Sequence, residues 1–185
     1  MSIESISPEV AKAYEFFKEL HKDQKRKDGV RPYFDAHLIP VAELVWEYSG
    51  SEVLVVVALG HDGNEDQNLS FRKIEEVFGA TVRDLIWFLT DQFTKENYPE
   101  LNRAKRKQAE RERYGSMPSD AKLVKLADVV ANLRDDNGDA GFMQMYIHEK
   151  IACLPYLKIA NPIFELAVQT VKEKAVKYGI KVDSL

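Results

Sequence analysis

SEVLVVVALGHD, residues 51–62, decides the fold class. Its apolar run is compatible with a buried strand or a buried helix, because periodicity does not separate the two in a short stretch. The neighbouring sequence supplies neither an alternating partner strand nor a hairpin turn, so the run reads as a helix opened by Ser51. Upstream, Ser7 followed by Pro8 places a cap before a first-turn proline, and a helical period runs on to about Gln24. Asp35 is placed to cap a helix over 36–48, with Gly50 as its stop.

The same punctuation continues to the C-terminal side. Ser70 precedes FRKIEEVFG, closed by Gly79, and Thr81 opens TVRDLIWFLTD. ELNRAKRKQAERERY reads as a long exposed helix, and Ser119 opens DAKLVKLADVVANLRDD. The turn NGDAG leads into FMQMYIHEKIACLPYLK. A last helix has Asn161 as cap, Pro162 in the first turn and Gly179 at the stop. The fold class expected is therefore all-α, a single helical domain over residues 1–185.

Composition narrows the function. The chain has 26 Lys+Arg and 30 Asp+Glu, a formal net charge of −4. That mildly acidic balance argues against a nucleic-acid binder, which needs a basic footprint. A single cysteine, Cys153, allows no intrachain disulfide and fits a reducing compartment. No apolar run approaches the roughly 20 residues of a membrane span, and the N-terminus lacks the basic-then-apolar layout of a signal peptide. The expected location is the cytoplasm, away from membranes.

The chemistry concentrates in GHDGNED, where His61, Asp62, Glu65 and Asp66 fall within six residues. Burying such groups together is costly without a neutralising partner. A divalent cation resolves the cost, since imidazole and carboxylate together suit Mn, Fe or Zn. An acidic solvated loop is the bland alternative. Elsewhere, His37 precedes the apolar positions Leu38, Val41, Ala42 and Val45 and, taken singly, is a core or boundary histidine. Lys125, Asp128 and Asn132 share one helical face opposite the stripe Leu123, Leu126, Ala127, Val130 and Leu133. By periodicity alone that face is solvated.

Taken in order, HKDQKRKDG, PYFDAH, HDGNED, FRKIEEVFGATVRDLIWFLTD and KLADVVANLRD resemble the HD-domain metal phosphohydrolases. The closer resemblance is to the hydrolase domain of the RelA/SpoT-type alarmone enzymes, especially their small single-domain members. The resemblance implies His37, His61, Asp62 and Asp128 as metal ligands for one Mn²⁺. It implies Glu65 and Asp66 as the acidic pair acting on the attacking water, and Arg26 and Lys27 as the basic pair at the nucleotide. Asn132 and Tyr146 become nucleotide contacts. Arg103 and Arg106, with Lys107, are candidates to receive a polyphosphate tail, although i,i+4 pairing with Glu110 and Glu112 explains them as well. His21 and Gln24 read as structural supports, His148 takes no role, and Met143 and Met145 read as core.

The implied activity is removal of the 3′-pyrophosphate from (p)ppGpp or (p)ppApp, so the partner is a small nucleotide. Two rivals remain: an HD-type nucleotidase acting on monophosphates or 2′/3′-phosphates, and a nucleotide-binding or antitoxin-type protein. Homo-oligomerisation or a toxin partner is open. Two departures from the family pattern bear on substrate recognition. Gly63-Asn64 replaces two apolar residues, with Gly60 before His61, and one extra residue lies between Pro32-Tyr33 and His37.

Overall fold

The computed structural model describes residues 2–136 and 138–182. Asn137, the first residue of the NGDAG turn, lies outside the described residues. The chain divides into two compact units, residues 1–90 and 91–185. Among the described residues there is no strand, and an isolated antiparallel bridge joins Lys25 and Pro32. The all-α expectation holds.

In the first unit, α1 (Pro8–Leu20) starts where Ser7 Oγ accepts the Val10 amide at 3.3 Å, with Pro8 in the first turn. It buries Val10, Ala13 and Phe17. The helix α2 (Ile39–Ser49) stops at Gly50, whose φ of 60° is left-handed and costs glycine little. The decisive Val run is α3 (Glu52–Gly60), capped as expected by Ser51, whose Oγ accepts the Leu54 amide. Every residue from Leu54 to Gly60 is buried. Such a helix is apolar all round because it is surrounded, and α1, α2 and α6 pack on it. The short α4 (Gly63–Gln67) ends on Asn68, which has φ 54°. α5 (Phe71–Phe78), capped by Ser70, packs against α6 (Ala80–Leu89).

Two expectations change here. Asp35 makes no cap for α2, because the chain is already helical at Tyr33 and runs through a π turn, Phe34–Leu38, into α2. The Ile39 amide bonds back to Phe34 O, five residues earlier. A π turn is how a helix absorbs one inserted residue, and this one spans His37, next to where the family resemblance implies an extra residue. The helix expected to open at Thr81 begins at Ala80 after Gly79, whose φ is 87°.

The second unit holds α7 (Arg103–Gly115), α8 (Ser119–Arg134), α9 (Ala140–Cys153), a 3₁₀ turn (Leu154–Leu157) and α10 (Ile163–Lys177). α8 packs on α10 and on the 3₁₀ turn. Asn161 Oδ1 accepts the Ile163 amide at 3.0 Å, so its capping contact is made although the helix begins after Pro162. At the other end the Ile180 amide reaches Ala175 O and the Gly179 amide Val176 O, the paired bonds of a Schellman stop.

α7 is not exposed all along. Glu110 and Tyr114 are buried, and Glu110 Oε2 accepts the amides of Gln92 and Phe93 at 3.0 and 2.9 Å. Nor is the polar face of α8 solvated. Asp128 is 6% exposed, and Lys125 is largely covered and paired with it. Periodicity identified the apolar stripe but not the burial of the opposite face. Met143 is core as expected, whereas Met145 is 43% exposed and its sulfur accepts from Arg103.

Candidate metal centre and active site

Within the first unit, His37 comes from the π turn and His61 from the residue after α3, which aims both rings at one carboxylate. His37 Nε2 lies 3.4 Å and His61 Nε2 3.1 Å from Asp62 Oδ2. The two rings are 5.4 Å apart and tilted by 58°. Both histidines are buried, at 1% and 2% exposure. His61 Nδ1 sits 2.7 Å from Ala58 O. A carbonyl oxygen only accepts, so Nδ1 carries a proton, and Nε2 is the ring atom turned toward Asp62. Whenever the ring is neutral, Nε2 and the carboxylate face each other as two lone pairs at 3.1 Å, a contact that a cation relieves. The donor set therefore fits a divalent metal, and the Ala58 carbonyl is the kind of outer partner that fixes a ligating ring.

The Tyr33 hydroxyl donates to the same Asp62 Oδ2 at 2.5 Å. Sequence reasoning gave Tyr33 no role, although its place four residues before His37 was a signal. Tyr33 also stacks on His21, with centroids 5.6 Å apart and an angle of 22°. Burial pushes the His21 imidazole below its usual range, against its hydrogen bond to Gln24 and the nearby charges of Asp62 and Asp66.

Beyond the metal cluster, α4 carries Glu65 and Asp66, both exposed. Asp66 Oδ2 accepts from Gln24 Nε2 at 2.7 Å, while Gln24 Oε1 meets His21 Nδ1 and Gln67 Nε2, each at 2.6 Å. Gln24 thus touches an expected catalytic acid. Gly60 is explained by packing: a Cβ there would fall 2.3 Å from Phe17 Cζ. At Gly63 a Cβ would meet Leu20 and Leu69 at 3.4 Å each, a close but lesser constraint.

The expected substrate residues are spread over both units. Arg26 lies in the loop closed by the Lys25–Pro32 bridge, its guanidinium 5.3 Å from the Tyr33 ring centre, and Lys27 beside it is exposed. In the second unit Arg103 pairs with Glu149, and Arg106 donates to Leu101 O. Asn132 donates to Asp128 Oδ1, and Lys125 Nζ is 3.2 Å from Asp128 Oδ2. Tyr146 stacks on Phe142 at 5.8 Å, with Lys150 Nζ 4.5 Å from its ring centre. Burial pushes Asp91 up, but Lys125 and Lys107 outweigh it and hold the carboxyl below its usual range.

A His-Asp pair joined by a second buried histidine on a helical scaffold defines the HD-domain class. The HD-domain pattern matches residues 13–147, and the chain belongs to that family. Among its relatives, it is 36% identical over 128 residues to the guanosine-3′,5′-bis(diphosphate) 3′-pyrophosphohydrolase MESH1 of Xenopus tropicalis, covering 68% of each chain. To MESH1 of Homo sapiens it is 38% identical over 135 residues, covering 72% of each. Among solved structures it is similar to a metazoan ortholog of SpoT described as hydrolysing ppGpp. That match has a TM-score of 0.75 and 25% identity, and covers 95% of this chain and 98% of the other. Among the described residues no helix is long and apolar enough to cross a membrane.

Proposed function

We propose that this chain hydrolyses the 3′-pyrophosphate of an alarmone nucleotide, (p)ppGpp or (p)ppApp, in the cytoplasm with Mn²⁺ as its metal. The observation that carries the reading is the convergence of His37 Nε2 and His61 Nε2 on Asp62 Oδ2, in a chain similar to proteins named for this reaction. The family match runs from residue 13 to 147 without a break at residue 90, which supports one functional domain.

In this reading His37, His61 and Asp62 hold the cation, with Asp128 as the further carboxylate that the family resemblance implies. A bound divalent cation lowers the pKa of water and polarises a phosphoryl oxygen. Tyr33 holds Asp62 in place through its hydroxyl. Glu65 and Asp66 orient the attacking water and take its proton. The water oxygen adds to the phosphorus attached at the ribose 3′ oxygen, that P–O bond breaks, and the proton taken from the water is delivered to the 3′ oxygen, giving pyrophosphate and a 3′-hydroxyl nucleotide. Arg26 and Lys27 bind the nucleotide, and the Arg26–Tyr33 contact supports a planar surface for a base. Asn132 and Tyr146 contact nucleotide, and Arg103 and Arg106 receive the phosphate tail.

Product analysis tests it. The Mn²⁺-loaded chain is incubated with ppGpp, ppApp, GMP, AMP and 3′-AMP. Pyrophosphate from the first two is expected. Orthophosphate from the monophosphates, with the alarmones untouched, overturns the reading.

A further inference from the structure

We infer that Gln24 is a positioning residue for Asp66, and that the buried His21 holds the opposite end of the Gln24 amide. The inference rests on the hydrolase reading above, which makes Asp66 a proton acceptor at the attacking water.

Asp66 sets the direction of the chain of contacts. An ionised carboxylate only accepts, so the atom facing Asp66 Oδ2 at 2.7 Å is the Gln24 amide nitrogen. The amide oxygen then faces the other way, toward His21 Nδ1 and Gln67 Nε2 at 2.6 Å each, and both must donate to it. That places the His21 proton on Nδ1. Flipping the Gln24 amide would set its oxygen against the carboxylate, so the Asp66 contact enforces one orientation, and His21 and Gln67 receive the other end of the amide. His21 is itself enclosed: it is 1% exposed and stacked on Tyr33. The Tyr33 amide donates to Gln24 O at 2.9 Å, which ties the backbone of Gln24 to the same strip. Tyr33 donates to Asp62 and Gln24 to Asp66, so one rigid strip holds a carboxylate of the metal cluster and the acid beyond it.

A wholly structural Gln24 would make stability, and not turnover, depend on it. The probe that separates the two is Gln24→Glu, which keeps an oxygen for His21 and Gln67 but turns an anion toward Asp66. Gln24→Met removes all three polar contacts at similar volume. Parent and variants are compared by thermal melting, bound-Mn²⁺ analysis and steady-state ppGpp hydrolysis. We expect kcat to fall by about 10- to 100-fold in both variants, the scale of a displaced catalytic group, with KM and metal content near parental. Gln24→Glu should fall further than Gln24→Met, since like charges repel. Parental kcat in both variants, or a loss seen only as a lower melting temperature, overturns the inference. An inactive parent would instead refute the hydrolase reading.

Discussion

Gly60→Ala is the most telling single substitution for the first unit. The added Cβ would lie 2.3 Å from Phe17 Cζ and 2.8 and 2.9 Å from its Cε atoms. Carbon contacts settle at about 3.5 Å, so 3.5 − 2.3 leaves about 1.2 Å to be found by movement. The ring has little room to give. Phe17 is fully buried, stacked on Phe78 at 5.2 Å and edge-on to Phe16 at 5.2 Å. Overpacking of this kind costs about 1–3 kcal/mol, and alanine's better helix propensity offsets about 1 kcal/mol. With about 1.2 Å to find and little room to find it in, the cost falls in the upper half of that range, about 2–3 kcal/mol, so the net is about 1–2 kcal/mol, or about 2–8 °C in melting temperature for a chain of this size. Since His61 follows directly, affinity for a divalent metal should weaken too.

The assay is a double-mutant cycle followed by thermal melting, with and without Mn²⁺. Phe17→Leu alone leaves a void and is destabilising. In the double variant the methyl introduced by Gly60→Ala moves into that space, so its cost should be smaller than the sum of the singles. A Gly60→Ala chain as stable as the parent, or strict additivity in the cycle, would refute the packing account of this glycine.

Other outcomes follow from the same geometry. Asp62→Asn should lose bound metal and activity together, whereas Glu65→Gln with Asp66→Asn should keep metal near parental while turnover falls about 10²–10⁴-fold; metal analysis of the purified variants distinguishes them. Asp28 accepts the Val30 and Arg31 amides and the Arg31 guanidinium, which hold its carboxyl at about 2 against an ordinary 3.8. Its pKa is depressed on folding, so the stabilisation is full above the ordinary value and is lost as pH falls through about 2. Carbon-13 titration of Asp28 should find that midpoint, and a value near 3.8 would contradict the loop. Burial pushes the Cys153 thiol up, so it should resist a disulfide reagent at pH 8 in the native chain and react on unfolding.

Much of this was legible in the sequence because local signals carried it. Ser7, Ser51 and Ser70 each make the capping bond their positions imply, and Gly50 and Gly179 take positive φ at helix ends. His61 and Asp62 stand out by adjacency, but it is the order of the five segments that makes them, with His37, candidates for a metal site. What escaped depends on contacts distant in sequence. Periodicity places Lys125 and Asp128 on a polar face but is silent on what covers that face. Gln24 and Asp66 are 42 residues apart, so no local spacing announces their bond. The Val run was ambiguous because a helix buried on all sides loses the amphipathic pattern that marks helices at a surface.

The π turn at Phe34–Leu38 has a consequence for how this chain tolerates change. Downstream, α2 keeps Val41, Ala42, Leu44 and Val45 buried, a set that a frameshift of one residue would rotate away by about 100° in a regular helix. Widening one turn confines that rotation to the few residues before Ile39. The loop ahead of His37 and the hydrophobic anchor of α2 are thereby uncoupled, so length variation in that loop need not be answered by changes in the core. A single-residue deletion at Asp35 or Ala36 should relax the turn to an ordinary helix and leave α2 in register. The bulge is thus a length adjuster, letting the loop before it vary in size while the scaffold behind it stays fixed.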